Sequence, residues 1–271
     1  MDAPRYSAIP MNPRGAALTV ERVAGHAVAT ARAVRRLGAF AAITLIWMAR
    51  YASHAAMAGF TRRLAASYAR RWSVSLGRAI GVEIETRGAP PDRSALLVAN
   101  HVSYIDIAVI GSRVAACFLA KTEVARWPVI GWAARLSNAI FVERERPDSR
   151  RRSLVEIETT IRSGVNVVVF PEGTTSAGPT TLPFRPGSFA LAARAGLVVV
   201  PVAIRYEDPG DAWVGDDTFV AHFLRQLGKR RVRVSVSFGP ALSGSSGEDL
   251  CRAAQNWIDD ANTCLWERTA A

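Results

Sequence analysis

The sequence predicts an α/β fold in which a mostly parallel central sheet is flanked by helices and preceded by an N-terminal membrane-associating helical hairpin. The first observation behind this prediction is that short apolar runs alternate with helical patterns beyond residue 81. Such runs are typical of strands that are covered on both faces, as in parallel sheets. The second observation is that residues 16–80 form two long helical patterns with a break near Gly59.

The predicted elements follow one another without internal repeats. Residues 1–15 contain three prolines and Gly15, which predicts a flexible leader. Residues 16–80 are assigned to the N-terminal helices, and residues 81–271 to a second domain. The strands of that domain are predicted from its apolar or alternating runs, which are Val82–Thr86, Ala95–Ala99, Ala115–Ala120, Ala139–Val142, Val165–Phe170, Leu197–Arg205 and Val232–Phe238.

Capping signals predict where two helices of the second domain begin. Ser153 and Glu156 form a capping-box pattern that would open one helix, and Gly164 would end it. Ser245 and Glu248 form the same pattern before the last helix. Both helices carry apolar residues at helical spacing, so each is expected to bury one face.

The positive charge of the chain is concentrated in its first third. The whole chain has a formal net charge of +11. Residues 1–90 contain thirteen arginines and four carboxylates, whereas residues 91–271 contain twenty-one basic and nineteen acidic side chains. A basic N-terminal region is typical of proteins that bind nucleic acid or the anionic face of a membrane.

The residues around these arginines favour the membrane. The thirteen residues 37–49 are uncharged, and Arg50 is the only charge between Leu37 and Thr61. This stretch favours an interfacial or re-entrant helix over a span, which needs about 20 apolar residues. Four arginines would lie on one side of such a helix, namely Arg22, Arg32, Arg36 and Arg50. A helix packed on the second domain is the remaining alternative, whereas exposed aromatics interleaved with arginine, as in nucleic-acid binders, are not found.

The chain shows no pattern of a secreted or metal-stabilised protein. The first 36 residues contain scattered arginines and prolines without an early apolar core, so no secretory signal is expected. The three cysteines lack the spacing of a disulfide framework or a zinc site. The second domain is therefore expected on the cytosolic side of a membrane.

A polar cluster follows the predicted strand Ala95–Ala99. His101 and Asp106 are five residues apart, so they can meet only if His101 precedes the helix that Ser103 and Asp106 would open. A carboxylate on one imidazole nitrogen sets the tautomer and prepares the other nitrogen to accept a proton. The pair is thus a candidate general base, although Asp106 as a helix cap beside a core histidine would give the same pattern.

Two further strands end in residues suited to binding. Glu172, Gly173 and Thr174 follow the strand Val165–Phe170, where open α/β sheets bind ligands. Arg144 follows the strand Ala139–Val142 and is suited to gripping a phosphate or carboxylate. The alternatives are an ordinary turn for the first segment and a solvated arginine for the second.

Together these segments resemble the glycerolipid acyltransferase family, which includes the acylglycerol-phosphate acyltransferases and their lysolipid relatives. Its motif N-H-x-S-x-x-D is matched by Asn100 to Asp106, and F-P-E-G-T-R-S is matched from Phe170 to Ser176 except at Thr175. The other matching segments are Phe141-Val142-Glu143-Arg144, Val200-Pro201-Val202-Ala203 and a K-x-E…P-x-x-G connector formed by Lys121, Glu123, Pro128 and Gly131.

The resemblance implies a function for each of these residues. His101, oriented by Asp106, would deprotonate the hydroxyl of a lysolipid acceptor such as 1-acylglycerol-3-phosphate. The hydroxyl would then attack a thioester of acyl carrier protein or coenzyme A, which is a co-substrate, so neither a cofactor nor a metal is implied. Substrate binding would be carried out by Lys121, Arg144, Glu172, Gly173 and Thr174.

Thr175 departs from the family pattern, because arginine usually occupies this position. The segment around Thr175 is similar to members that acylate lyso-ornithine lipids, so this acceptor is the alternative to lysophosphatidate. An inactive membrane-binding relative is a further alternative, but both members of the His101–Asp106 pair are present. Together with this resemblance, the arginines that flank the apolar N-terminal stretch predict anionic membrane lipids as a partner, at the cytoplasmic face of the inner membrane, with a monotopic or single-span anchor.

Overall fold

A computed structural model of the protein describes residues 13–126, 131, 134, 135 and 138–270, with side chains between residues 25 and 264 of these ranges. The helices of the described ranges are α1 (Pro13–Ala58), α2 (Arg62–Ile80), α3 (Asp106–Arg113), α4 (Pro147–Arg162), α5 (Gly187–Ala195), α6 (Phe219–Gly228) and α7 (Gly247–Ala270). The strands are β1 (Val82–Arg87), β2 (Leu96–Ala99), β3 (Ala116–Lys121), β4 (Ile140–Val142), β5 (Asn166–Val169), β6 (Val199–Tyr206) and β7 (Val232–Phe238).

The strands form a single sheet in the order β1-β7-β6-β2-β5-β3-β4. Strands β6 and β7 pair antiparallel, and the other neighbours pair parallel. The predicted α/β class with a mostly parallel sheet and the seven predicted strands are therefore confirmed, with strand boundaries within two residues. The connector residues 127–130, which include Pro128, lie outside the described residues.

Helices cover both faces of the sheet, as strand β2 illustrates. Its side chains alternate, so that Leu97 and Ala99 join a core with α3, whereas Leu96 and Val98 join a core with α4, α5 and α7. All four side chains are buried, which explains the continuous apolar run in the sequence. Because β2 is buried on both faces, its position is fixed, and the polar residues that follow it lie just beyond its carboxyl end.

Helix α4 begins seven residues earlier than its capping-box pattern predicts, since its N-cap is Arg146 in place of Ser153, so that prediction is wrong. The helix begins at Pro147, which suits a first helical position because proline needs no hydrogen bond to its nitrogen. Ser153 lies inside the helix, and its hydroxyl donates to the Arg150 carbonyl at 2.8 Å. The end of the helix is as predicted, because Gly164 follows with a left-handed φ of 83°.

The last helix also begins differently from its predicted start, by one residue. The cap is Ser246 in place of Ser245, since the Ser246 hydroxyl accepts a hydrogen bond from the Asp249 N–H at 3.2 Å. The predicted apolar face is confirmed, because Leu250, Ala254 and Ile258 are buried against the sheet.

The N-terminal helices α1 and α2 pack on the second domain. Gly59, with φ of 86°, separates the two helices where the sequence predicts a break. Helix α1 already begins at Pro13, inside the predicted leader, and residues 1–12 of that leader lie outside the described residues. In the part of the chain that the structure describes, no helix combines the length and apolar character that crossing a membrane requires.

Two of the four arginines predicted to share one side of α1 bind the C-terminal end of α6. The Arg36 side chain is buried and donates to the carbonyls of Leu227, Lys229 and Arg230 at 3.3, 2.5 and 3.1 Å. Arg32 donates to the Gly228 carbonyl at 2.7 Å. The C-terminal carbonyls of a helix lack partners within it and carry partial negative charge, so they attract these cations. For this pair the structure shows the helix packed on the second domain, which the sequence leaves open as the alternative to a membrane contact.

Candidate active site

The predicted site residues gather at one edge of the sheet because the strands that precede them are parallel. His101 follows β2, Glu172 follows β5, and Arg144 follows β4. Lys121 ends β3 and is the register partner of Val142 in β4. The carboxyl ends of parallel strands are where open α/β sheets bind ligands, which makes this edge the candidate active site.

His101 and Asp106 form the hydrogen-bonded pair that the sequence predicts. The Nδ1 of His101 lies 2.9 Å from Oδ2 of Asp106. His101 is in the turn before α3 and Asp106 is the first residue of that helix, which places the two side chains together. The Nε2 atom of His101 has no hydrogen-bond partner among the described residues. This geometry leaves Nε2 available to take a proton from a substrate.

The Asp106 carboxylate is fully buried and is held by four donors. Its Oδ2 accepts from His101 Nδ1 and from the N–H groups of Val102 and Ser103, at 2.8 and 3.0 Å. Its Oδ1 accepts from the Tyr206 hydroxyl at 2.7 Å. Burial and the adjoining Asp106 carboxylate raise the pKa of Tyr206 well above its ordinary value, so this hydroxyl remains a donor. The ring of Phe170 stacks on His101, with centroids 4.0 Å apart.

Replacement of Tyr206 by Phe tests whether this hydroxyl positions the pair. The substitution leaves Asp106 Oδ1 without its buried donor, so we expect kcat to fall about tenfold with little change in KM. Tyr104→Phe is the matched control, because Tyr104 also has a partly buried hydroxyl hydrogen bond, at 2.8 Å to His222, away from Asp106. The midpoint temperature of thermal unfolding should fall by a similar amount in both variants. An equal fall in kcat in the two variants would contradict the positioning role of Tyr206.

Glu172 holds the turn that carries His101. Its Oε1 accepts from the His101 N–H at 2.8 Å, and its Oε2 accepts from the Ser176 hydroxyl and the Leu182 N–H at 2.5 and 2.9 Å. The Ser176 N–H donates to the His101 carbonyl at 2.7 Å, so both backbone groups of His101 are bound by one loop. This network makes Glu172 a positioning residue. Its predicted contact with substrate stays a prediction.

Two guanidinium groups approach Gly173. Arg144 donates from Nη1 to the Gly173 carbonyl, and burial together with neighbouring Arg185 lowers the pKa of Arg144. Gly173 has φ of 81°, and a Cβ there would lie 2.7 Å from Nε of Arg185. Neither arginine forms an ion pair with a carboxylate in the described chain. A pair of cations without such partners is suited to an anionic group of a substrate.

The remaining predicted residues lie at the rim of this site. Lys121 and Thr174 are exposed. Thr175, at the position where the family pattern has arginine, donates from its hydroxyl to the Trp213 carbonyl. The substrate contacts predicted for Lys121 and Thr174 stay predictions, and among the described residues no cluster suited to a metal ion is found.

A predominantly apolar cavity of about 260 Å³ extends from His101 between the N-terminal helices and α3. Helix α1 contributes Phe40 and Trp47, and α2 contributes Trp72. One side of the apolar stretch of α1 therefore faces this cavity. A cavity of this kind beside a base is suited to a substrate with a hydrocarbon chain.

Two positioning residues make contacts that the local sequence does not indicate. Tyr206 lies one residue beyond a recognised strand, but nothing in its neighbourhood indicates a contact with Asp106. Asn100, which belongs to a recognised motif, binds both the N–H and the carbonyl of Ile204, at 2.8 and 2.9 Å. This contact ties the end of β2 to β6. Arg185, in contrast, is indicated by its charge in the sequence, as a cation that could compensate for the threonine at position 175.

Known proteins place this site in a family. The model of the family described as Acyltransferase matches residues 81–205. Lyso-ornithine lipid O-acyltransferase of Pseudomonas aeruginosa is 36% identical over 198 residues, which cover 70% of this chain and 76% of that protein. The chain belongs to the acyltransferase family. Both the predicted family and the prediction of an acyltransferase enzyme are thereby confirmed.

This acyltransferase also resembles a second curated relative and a protein of known crystal structure. The 1-acyl-sn-glycerol-3-phosphate acyltransferase of Neisseria gonorrhoeae is 31% identical over 182 residues, which cover 63% of this chain and 69% of that protein. The crystal structure of the 1-acyl-sn-glycerophosphate acyltransferase PlsC from Thermotoga maritima superposes with a TM-score of 0.61 at 25% identity. That superposition covers 86% of this chain and 97% of the crystallised chain.

Proposed function

We propose that this acyltransferase moves a fatty acyl group from a thioester to the hydroxyl of a lysolipid, with His101 as general base. The observation that carries the proposal is the position of His101, which is paired with buried Asp106 and lines an apolar cavity. A lysolipid has a hydrocarbon chain suited to the cavity and a hydroxyl that needs deprotonation. The site therefore provides a base and an apolar environment together.

In the proposed reaction, Nε2 of His101 takes the proton of the acceptor hydroxyl as its oxygen attacks the thioester carbonyl. The tetrahedral intermediate carries an oxyanion, which backbone N–H groups of the turns would stabilise. Its collapse forms the ester and breaks the carbon–sulfur bond. The thiolate leaves with the proton from His101, so the free imidazole is restored and no acyl-enzyme is formed.

Lyso-ornithine lipid is the acceptor that we propose first. Support comes from the relative in Pseudomonas aeruginosa and from Thr175, which removes a cation that the family pattern usually has. An ornithine headgroup carries a carboxylate, which Arg144 and Arg185 are suited to bind. Lysophosphatidate is the second candidate, since the same two cations suit a phosphate and the Neisseria relative bears that name.

The acyl donor and the membrane location of the enzyme also belong to this proposal. The thioester would belong to acyl carrier protein or coenzyme A, and no metal or cofactor would take part. Helices α1 and α2 would hold the enzyme on anionic lipids at the cytoplasmic face of the cell membrane, so that lysolipid reaches the cavity from the bilayer. The exposed apolar residues of α1, including Val34 and Leu45, support this orientation.

One experiment separates these substrates. Purified full-length enzyme is offered lyso-ornithine lipid or lysophosphatidate, each with acyl carrier protein or coenzyme A thioesters of the same acyl chain. We expect the highest kcat/KM with lyso-ornithine lipid. A preference for lysophosphatidate would replace the first candidate by the second, and failure of every pair would contradict acyl transfer to these lysolipids.

Arg144→Ala tests the proposed headgroup contact. Loss of a charge-assisted hydrogen bond should raise KM for the lysolipid about tenfold or more, with a smaller change in kcat. Arg146→Ala is the matched control, because Arg146 is near in sequence but exposed and paired with Glu143 at 3.6 Å. An unchanged KM in Arg144→Ala would remove this arginine from the headgroup site.

A further inference from the structure

Most of the exposed large apolar side chains of the enzyme belong to α1, to α6 or to the segments that adjoin them. Twelve large apolar side chains are exposed in the described part of the chain, and ten of them belong to α1, to α6 or to the segments that adjoin these helices. The ten are Val28, Val34, Leu37, Leu45, Ile46, Met57, Phe60, Val214, Val220 and Leu224. Concentrations of this kind mark interaction surfaces, whereas single exposed apolar residues do not.

The exposed apolar residues of helix α6 lie on the side of the helix that faces away from the protein core. Val220 and Leu224 are four residues apart, so they lie on one side of the helix, and they are 64% and 43% exposed. His222 and Gln226 of the same helix are buried. The exposed pair therefore does not contribute to the core of the catalytic domain.

Contacts between α1 and α6 make their exposed residues parts of one surface. The ring of Phe40 packs edge-to-face on Phe223, with centroids 5.5 Å apart. Leu224 follows Phe223 directly, and Leu37 lies one turn before Phe40 on α1. Both helices also line the cavity that reaches His101, through Phe40 and Phe223.

Cations border this apolar surface. Arg35 of α1 and Arg230, two residues beyond α6, are both exposed. The Arg230 carbonyl accepts a hydrogen bond from Arg36 at 3.1 Å, which brings the two helices together at this point. No ion pair of Arg35 or Arg230 with a carboxylate is found in the described part of the protein. Apolar side chains bordered by unpaired cations are the chemistry that binds an anionic bilayer surface.

We propose that α6, an element of the catalytic domain, inserts together with α1 into the surface of an anionic bilayer through Val220 and Leu224. The membrane contact then includes the wall of the cavity, in addition to the N-terminal helices. The choice of a lipid partner rests on the proposed function. Vesicle binding is measured without the reaction, so the two can fail separately.

The test compares two double variants of the full-length enzyme. Val220→Glu with Leu224→Glu removes the proposed insertion, and Val155→Glu with Leu182→Glu is the matched control. The control residues are 63% and 42% exposed and adjoin the opposite face of the sheet, with α4 and α7. Cosedimentation is measured with vesicles of phosphatidylcholine that contain phosphatidylglycerol.

We expect the α6 variant to bind these vesicles about tenfold more weakly than the unmodified enzyme, because two inserted apolar side chains become charged. The control variant should bind as the unmodified enzyme does. Binding of the α6 variant as tight as that of the unmodified enzyme would contradict the insertion of α6. Equal weakening of binding in the α6 and control variants would also contradict it, because added negative charge alone would then account for the loss.

A label reports insertion without a disruptive charge. In a chain with Cys251→Ser and Cys264→Ser, an environment-sensitive fluorophore is attached at Leu224→Cys or, as the control, at Val155→Cys. Emission from position 224 should shift to shorter wavelength on addition of the vesicles, while emission from position 155 should not. Absence of the shift at 224 would overturn the proposal even if every charged variant failed to fold.

Activity in detergent separates this proposal from the proposed function. With a short-chain lysolipid in micelles, the α6 double variant should retain the acyl transfer of the unmodified enzyme, because Val220 and Leu224 are exposed and belong neither to the His101–Asp106 pair nor to the network that holds it. Loss of vesicle binding with retained transfer supports the insertion of α6. Absence of transfer in the unmodified enzyme would count against the proposed function and would leave the vesicle result valid.

Discussion

His101→Ala is expected to lower kcat about a thousandfold, since a positioned general base contributes about 10²–10⁴-fold to a rate. In the proposed function the lysolipid would be held by the cavity and by the cations beside Gly173, so KM should change by no more than about twofold. Initial rates at varied lysolipid concentration, with donor in excess, measure both constants.

The variant should fold like the unmodified enzyme. The His101 backbone keeps its hydrogen bonds to Glu172 and Ser176, and these do not depend on the imidazole. The control is therefore the thermal unfolding of the variant together with its binding to vesicles, and neither should change appreciably. A kcat within about tenfold of the unmodified enzyme would contradict the role of His101 as base.

Asp106→Asn is expected to lower kcat about a hundredfold or more while the fold is retained. The amide oxygen can take the position of Oδ2 and keep the hydrogen bonds from His101, Val102 and Ser103. The amide nitrogen then faces the Tyr206 hydroxyl, whose oxygen can accept a hydrogen bond. The remaining difference is the negative charge, which is needed when His101 becomes positively charged during proton transfer.

Two further variants test whether Asp106 acts through its charge and through His101. Asp106→Ala leaves the buried donors without any acceptor, so it should unfold at a lower temperature than Asp106→Asn. The double variant His101→Ala with Asp106→Asn should be no slower than His101→Ala alone, because Asp106 acts through His101. Independent, additive losses would mean that Asp106 contributes to the reaction in another way.

The sequence was sufficient for the parts of the fold and site that depend on neighbouring residues. Each buried strand is a short apolar run, so all seven strands could be located. His101 and Asp106 are five residues apart, and one turn before a helix is enough to bring them together. Helix starts were less certain, because Ser153 gives the same local signal as a true cap while Pro147 determines the start.

Contacts between distant segments could not be predicted in this way. Glu172 binds the His101 N–H across 71 residues, and Tyr206 binds Asp106 across 100 residues. The local sequence around each residue is compatible with many partners, and only the sheet order β6-β2-β5 selects these ones. The same reason explains Arg36, whose charge suggested lipid although the C-terminal end of α6 holds it.

The bond between Arg36 and α6 also sets an order of events during synthesis. Arg230, whose carbonyl Arg36 binds, is 194 residues further along the chain. At about 5–20 residues per second, this interval is on the order of 10–40 s. For most of this time α1 is complete, yet its buried Arg36 and its Phe40 lack their final partners at α6. If α1 binds lipid as proposed, a nascent chain in this state would reach the bilayer before its catalytic domain has formed, and α6 would close against α1 at the membrane surface.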